Sequence, residues 1–296
     1  MSKLVLVAWA GILVVGLSAS AQAQQFNVLV TNDDGFDAEG IDAVVEELRL
    51  NPNLDITVIA PLTNQSGSGD SFSSTPLPVA SSMTLSGFAA TTVDGFPADS
   101  VFLGVLELLT TPPDVIVSGI NSGQNITEEI TEISGTVGAV LTAARLGVPA
   151  IAVSQGLVAT DYSAAARYTA NLVEKMRQSK GLRKKLFGKN GLGLAKVINV
   201  NFPTCTSGSV RGVELVPLAD LSKVTSYSFD PNSQSYTPTV TTGSLFGSDC
   251  ESTLVDPATD LEAMNNGFAS VTVLNPDLTV DSKLKRYGLL RKIDFE

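Results

Sequence analysis

The run Phe26-Asn27-Val28-Leu29-Val30 ends abruptly in Thr31-Asn32-Asp33-Asp34-Gly35, and a helical pattern follows from about Ala38 to Leu50. An apolar run closed by Asn-Asp-Asp-Gly turn chemistry, then apolar residues at helical spacing, reads as a buried strand feeding a helix. The same unit recurs along the chain. Asp55 to Pro61, Asp114 to Ser118, Val148 to Val153 and Lys196 to Asn201 read as strands, with helical patterns from Pro97 to Leu109, Ser134 to Leu146 and Tyr162 to Gln178. This alternation predicts an α/β fold: a three-layer, doubly wound, Rossmann-like sheet with a parallel core. In such a sheet the carboxyl ends of the strands open onto the ligand crevice. Two adjacent acids placed there point to holding a cation more than to stabilising the fold.

From about Thr204 to Phe268 the chain turns to Ser, Thr, Gly and Pro with weak alternation, which predicts a C-terminal β-hairpin arm and long loops. The basic run Arg183-Lys184-Lys185 reads as a solvated helix end.

Residues 1–23 have the form of a secretory signal peptide: Lys3, an apolar run through Gly16-Leu17, then small residues ending in Ala21-Gln22-Ala23. The expectation is cleavage after Ala23, with an uncleaved anchor as the alternative; residues 24–296 then form one exported domain that includes the arm over about 204–268. No later segment is apolar for long enough to span a bilayer, so no membrane association is expected after cleavage. The net charge of −11 argues against nucleic-acid polymers as partners. Cys205 and Cys250 suit an oxidising compartment. A bridge between them would stabilise by ~2–4 kcal/mol; two unpaired thiols are the alternative.

The chain contains no histidine. That excludes Ser-His-Asp and Cys-His catalysis, histidine-nucleophile phosphatases and His-ligated zinc. Hydrolytic chemistry here has to rest on carboxylates, hydroxyls, amides and a hard cation.

Three segments converge on one edge of the predicted sheet: Asn32-Asp33-Asp34-Gly35, Gln65-Ser66-Gly67 and Gly119-Ile120-Asn121-Ser122-Gly123. Each follows a strand, so together they offer carboxylates, a hydroxyl and an amide oxygen to one point. Mg²⁺, Mn²⁺ and Ca²⁺ take such oxygen ligands. Ser134-Gly135-Thr136 opens a helix with Ser134 as its cap, and its free amides and dipole suit a phosphate. Metal on one side and a helix terminus on the other describe a phosphate-ester hydrolase. No P-loop and no Gly-x-Gly-x-x-Gly after the first strand compete with this reading.

Taken together, Val30 to Gly35, Ala60-Pro61 to Gly67, Ser118 to Gly123 and Ser134-Gly135-Thr136-Val137 resemble the SurE family of nucleotidases. Gly95 to Val101, Thr259-Asp260 and Gly267 to Val273 follow the family's pattern in order, so the resemblance covers the chain from the end of the leader to about Leu274. No single motif is specific; their joint occurrence is. The resemblance implies a SurE-like fold and a metal-dependent phosphomonoesterase acting on nucleoside 5′- and 3′-monophosphates. It carries metal ligands onto Asp33, Asp34, Ser66 and Asn121, with Mg²⁺ or Mn²⁺ as the cation. It carries phosphate binding onto Asn125, Ser134, Gly135 and Thr136, with Asn32 shaping the acidic loop. It also implies a homodimer or homotetramer built with the arm.

Departures from the family pattern lie beside the pocket and bear on substrate preference. Gly123-Gln124-Asn125-Ile126-Thr127 stands where Gly-x-Asn-x-Gly is usual, Ile133 replaces a Tyr, Phe96 replaces a Thr, and Glu128 to Glu132 form an acidic intervening loop. Asn64-Gln65-Ser66 and Asn125-Ile126-Thr127 satisfy the glycosylation sequon, and glycans there would crowd the site. A bacterial periplasmic home therefore fits best. Asp33 is the candidate for orienting or deprotonating an attacking water, with Asp34 beside it. The rival readings are a broad acid phosphatase or polyphosphatase, and a non-catalytic periplasmic binder of nucleotides or phosphate.

Overall fold

The computed structural model describes residues 25–159, 161–187, 194–220, 224–240, 247–277 and 284–294; the leader expected over 1–23 lies outside them. The first strand, β1 (Phe26–Thr31), lies parallel to β2 (Leu54–Pro61) on one side. On its other side lies β5 (Val115–Ser122), also parallel. The chain thus winds outward in both directions from the β1/β5 boundary, where a doubly wound sheet opens its crevice.

On the β2 side the sheet continues through β4 (Ala89–Val93), parallel, to the antiparallel edge strand β3 (Val79–Met83). On the β5 side it continues through β6 (Ala150–Gln155) and β7 (Val197–Phe202), both parallel. The last strands are β11 (Ala269–Leu274), antiparallel to β7, and β8 (Val213–Leu215), parallel to β11. Among the described residues this makes a nine-stranded sheet in the order β3-β4-β2-β1-β5-β6-β7-β11-β8.

The pleat explains why the central strands are apolar throughout. Val28 and Val30 enter one core with Val115 and Val117, against α1 (Glu39–Leu48) and α5 (Ser163–Gln178). Leu29 and Ile116 enter the opposite core, against α2 (Pro97–Leu103) and α4 (Gly135–Arg145). A parallel sheet covered on both faces has no solvent side for polar residues to occupy. No helix among the described residues is long and apolar enough to cross a membrane.

Two expectations are corrected. Glu128 to Glu132 are not a loop but lie in a helix, α3 (Thr127–Ile133). Its N-cap residue, Ile126, offers no side-chain cap, and distant groups satisfy its first amides. Asp260 Oδ2 accepts from the Thr127 N–H at 2.8 Å, and the Ala219 carbonyl accepts from Glu128 at 3.0 Å. The Thr204 to Phe268 region is more than arm and loops, because β8 joins the main sheet and α7 (Asp260–Asn265) packs against β11. The expected hairpin is present as β9 (Val224–Asp230) paired with β10 (Ser235–Val240). Arg183, Lys184 and Lys185 lie on the last turn of α6 (Lys180–Leu186). Cys205 and Cys250 form a disulfide, with Cα atoms 5.7 Å apart.

Candidate active site

Asp33 and Asp34 leave β1 at the β1/β5 boundary and face different partners. Asp33 turns inward and is 2 % exposed. Its Oδ1 accepts a 2.6 Å hydrogen bond from the Thr136 hydroxyl. Burial pushes its carboxyl up to about 6, against the pull of the Thr136 hydrogen bond and with a further upward push from Asp34. Asp34 sits nearer the rim. Its Oδ2 accepts from the Ser122 N–H at 3.0 Å and its Oδ1 from Asn64 Nδ2 at 3.3 Å. Burial raises its carboxyl too, opposed by the Ser122 amide. Asn32 closes the turn by donating to the Gly35 carbonyl at 2.7 Å.

The loop after β2 reaches this pair through the backbone. Gln65 N–H donates to the Asp33 carbonyl at 2.7 Å, and Ser66 N–H donates to Asn64 Oδ1 at 2.9 Å. Ser66 is exposed, two residues beyond the Asn64 that braces Asp34. From β5, Asn121 Nδ2 donates to the Gly123 carbonyl at 2.6 Å, which leaves its amide oxygen as the end able to face a ligand. The structure therefore brings Asp33, Asp34, Ser66 and Asn121 to a common edge, as their strand ends predict.

Helix α4 docks its first turn on Asp33. Ser134 Oγ accepts from the Val137 N–H at 3.2 Å, so this hydroxyl serves as the cap. At Gly135 a Cβ would stand 2.8 Å from Asp33 Cβ, so only glycine admits this approach. One turn on, a Cβ at Gly138 would stand 1.9 Å from the Gly69 carbonyl oxygen, so the loop after β2 and the helix touch backbone to backbone.

Asn125 lies deeper than a residue that simply lines a pocket. Its Nδ2 donates to Thr136 Oγ1 at 3.2 Å and to Ser154 Oγ at 2.8 Å, using both amide hydrogens. Its N–H donates to Asn201 Oδ1 at 2.6 Å, and its carbonyl accepts from Asn199, Asn201 and Thr131. At 5 % exposure, Asn125 is closed to a glycan in the folded protein. A buried relay thus runs from β7 through Asn125 and Thr136 to Asp33.

Residues 28–224 match the family model described as survival protein SurE. The chain belongs to the SurE family. Relatives named 5′-nucleotidase SurE include one from Syntrophobacter fumaroxidans, 34% identical over 85% of this chain and 94% of its own length. Another, from Methanopyrus kandleri, is 35% identical over 86% of this chain and 93% of its own. The crystal structure of the SurE protein from Aquifex aeolicus superposes with a TM-score of 0.65 at 29% identity, covering 90% of this chain and 98% of that one.

The donor set of this SurE-family chain fits a hard cation. Asn32 Oδ1 and Ser68 Oγ are buried beside the acids with no hydrogen-bond partner, and buried oxygens of this kind need a cation, water or ligand donor. Among the described residues, no group of three or more His, Cys, Asp or Glu gathers. A cation held by the two carboxylates would therefore complete its coordination with amide and hydroxyl oxygens, water or substrate, as Mg²⁺ and Mn²⁺ do.

Sequence reasoning passed over Asn64, Ser154, Asn199, Asn201 and Asp260. Asn64 was visible only as a sequon residue, and Asp260 only as part of a family pattern. Ser154, Asn199 and Asn201 are buried polar residues within apolar strands, and that incongruity was the available signal.

Proposed function

We propose that this protein is a divalent-cation-dependent phosphomonoesterase that hydrolyses nucleoside 5′- and 3′-monophosphates. The observation that carries this reading is the docking of the α4 N-terminus on the Asp33-Asp34 pair, which puts anion-binding amides beside a cation-binding corner. Names of relatives more than 30% identical over most of the chain support the nucleotide substrate.

Asp33, Asp34, Ser66 and Asn121 would hold Mg²⁺ or Mn²⁺, which when bound supplies positive charge to the phosphate oxygens. The amides of Ser134, Gly135 and Thr136 bind the remaining equatorial charge and fix the phosphorus for in-line attack. Asn125 holds Thr136 and so the register of that helix against the acids. Asp33 orients the attacking water and takes its proton.

The assay that tests this measures phosphate release from AMP, 3′-AMP, other nucleoside monophosphates, p-nitrophenyl phosphate and polyphosphate, with and without EDTA. Release from the nucleotides that EDTA abolishes and Mg²⁺ or Mn²⁺ restores is the expected result. No metal-dependent release from any ester would leave a binding protein; faster release from polyphosphate or p-nitrophenyl phosphate would leave a broad phosphatase.

Export to a periplasm is part of the same proposal, supported by the leader-like residues 1–23 and by the Cys205–Cys250 disulfide. So is a homodimer or homotetramer. The β9–β10 hairpin exposes Tyr227, Phe229 and Tyr236, aromatic surface suited to burial against another copy.

A further inference from the structure

A second feature lies beside the acid pair, at the carboxyl ends of β6 and β7. A cavity of about 530 Å³ opens there, of the size that takes small organic ligands. It adjoins the candidate active site directly. A Cβ at Gly123 would stand 3.7 Å from Asn121 Nδ2 on one side and 3.3 Å from Leu157 Cδ2, a cavity wall, on the other. Gly123 thus lies between Asn121 and the cavity wall at Leu157.

The lining has two chemical characters. Leu157, Val158 and Met264 supply apolar surface, with Leu157 and Val158 exposed at 44% and 85%. Asn265 also lines the cavity, and its carboxamide has no hydrogen-bond partner among the described residues. Apolar walls with one uncommitted amide, which both donates and accepts, suit a flat heteroaromatic ring with polar edges.

The opposite wall is held covalently. Thr204 and Thr206 flank Cys205, while Gly247 and Ser248 precede Cys250, and all four line the cavity. One disulfide therefore pins two sequence-distant segments of the same wall. We propose that this cavity binds the nucleoside of the substrate, and that the Cys205–Cys250 disulfide holds its wall in the binding shape. The inference rests on the nucleotidase reading for its ligand, and gives that site its second half.

The test compares AMP with p-nitrophenyl phosphate, which carries no nucleoside, in Thr206→Trp and in the Cys205→Ser/Cys250→Ser double variant. Both variants are to lower kcat/KM for AMP at least about tenfold more than for p-nitrophenyl phosphate, mainly through KM. Equal losses on the two substrates, or no loss on either, in Thr206→Trp overturn the cavity assignment. Equal losses in the double variant, with its fold checked by circular dichroism, overturn the role of the disulfide. Calorimetric titration with adenosine and with uridine separates this inference from the nucleotidase reading. Binding by the unmodified protein that Thr206→Trp abolishes supports the cavity even where no ester is hydrolysed. No binding of either nucleoside at millimolar concentration overturns it.

Discussion

The Thr136 hydroxyl donates to Asp33 Oδ1 at 2.6 Å, joining residues 103 apart in sequence. That bond makes the acid turn after β1 and the first turn of α4 one unit, so the two carboxylates and the amides that open the helix keep a constant spacing. It also opposes the burial that raises the Asp33 carboxyl.

Replacing Thr136 by Ala removes the bond while leaving the carboxyl buried. The Asp33 carboxyl then rises further, and the acid limb of the kcat/KM profile moves to higher pH, with a stability cost of ~1–3 kcal/mol. Thr136→Ser, which keeps the hydroxyl, restores the limb. A pH–rate profile of the three proteins decides it; an unmoved limb in Thr136→Ala would sink the coupling.

Asp33→Asn keeps the shape and removes the charge. At saturating Mn²⁺, kcat on AMP is expected to fall by about 10²–10⁴-fold, the range for loss of a positioned acid–base group. Near-full activity in this variant would remove Asp33 from the mechanism.

Stability of the metal-free protein is expected to fall as pH rises. Asp33 and Asp260 are raised from 3.8 to about 6, chiefly by burial. Between those values the folded state holds protons that the unfolded state has released, so unfolding is favoured progressively as pH climbs through the window. Each group contributes on the order of 2–3 kcal/mol to the loss. Glu174, held down to about 2 chiefly by its hydrogen bond from Arg177, has the opposite sign, but its effect lies below the ordinary glutamate value of 4.5 and overlaps this window only at its acid edge. Urea melts in EDTA at pH 4.5 and pH 7 measure the slope; greater stability at pH 7 would contradict it.

Asp260 joins three backbone segments through its carboxylate. Oδ1 accepts from Ala219 at 2.7 Å and Leu261 at 2.8 Å, while Oδ2 accepts from Thr127 at 2.8 Å. Asp260→Asn places an amide donor against one of these N–H groups, with an expected cost of ~1–3 kcal/mol. Because asparagine does not titrate, the variant's stability should also vary less between pH 4.5 and 7. Thermal melts at the two pH values check both effects.

The parts legible in the sequence are those whose signal is local. The apolar run of β1, its Asp33-Asp34 turn and the Ser134 cap of α4 each lie within a few residues, and each stands where its pattern predicts. Helix α3 was illegible because its first amides are satisfied by Asp260 and Ala219, far along the chain. Asn199 and Asn201 show in the sequence only as polar residues in an apolar run, because their partners depend on what covers the sheet.

By itself, then, the amino-acid order determined the alternation of strands and helices, the crevice edge where the two acids stand, and the exclusion of imidazole from the chain's chemistry. Periodicity and turn chemistry act over a handful of bonds, and composition acts over none. Tertiary structure alone decided that Asp33 is buried and Asp34 nearer the rim, that Asn125 is spent on a buried relay, and that one disulfide closes a wall beside the site. Those outcomes depend on desolvation and on hydrogen bonds between residues scores of positions apart, and such distances are settled only when the sheet closes.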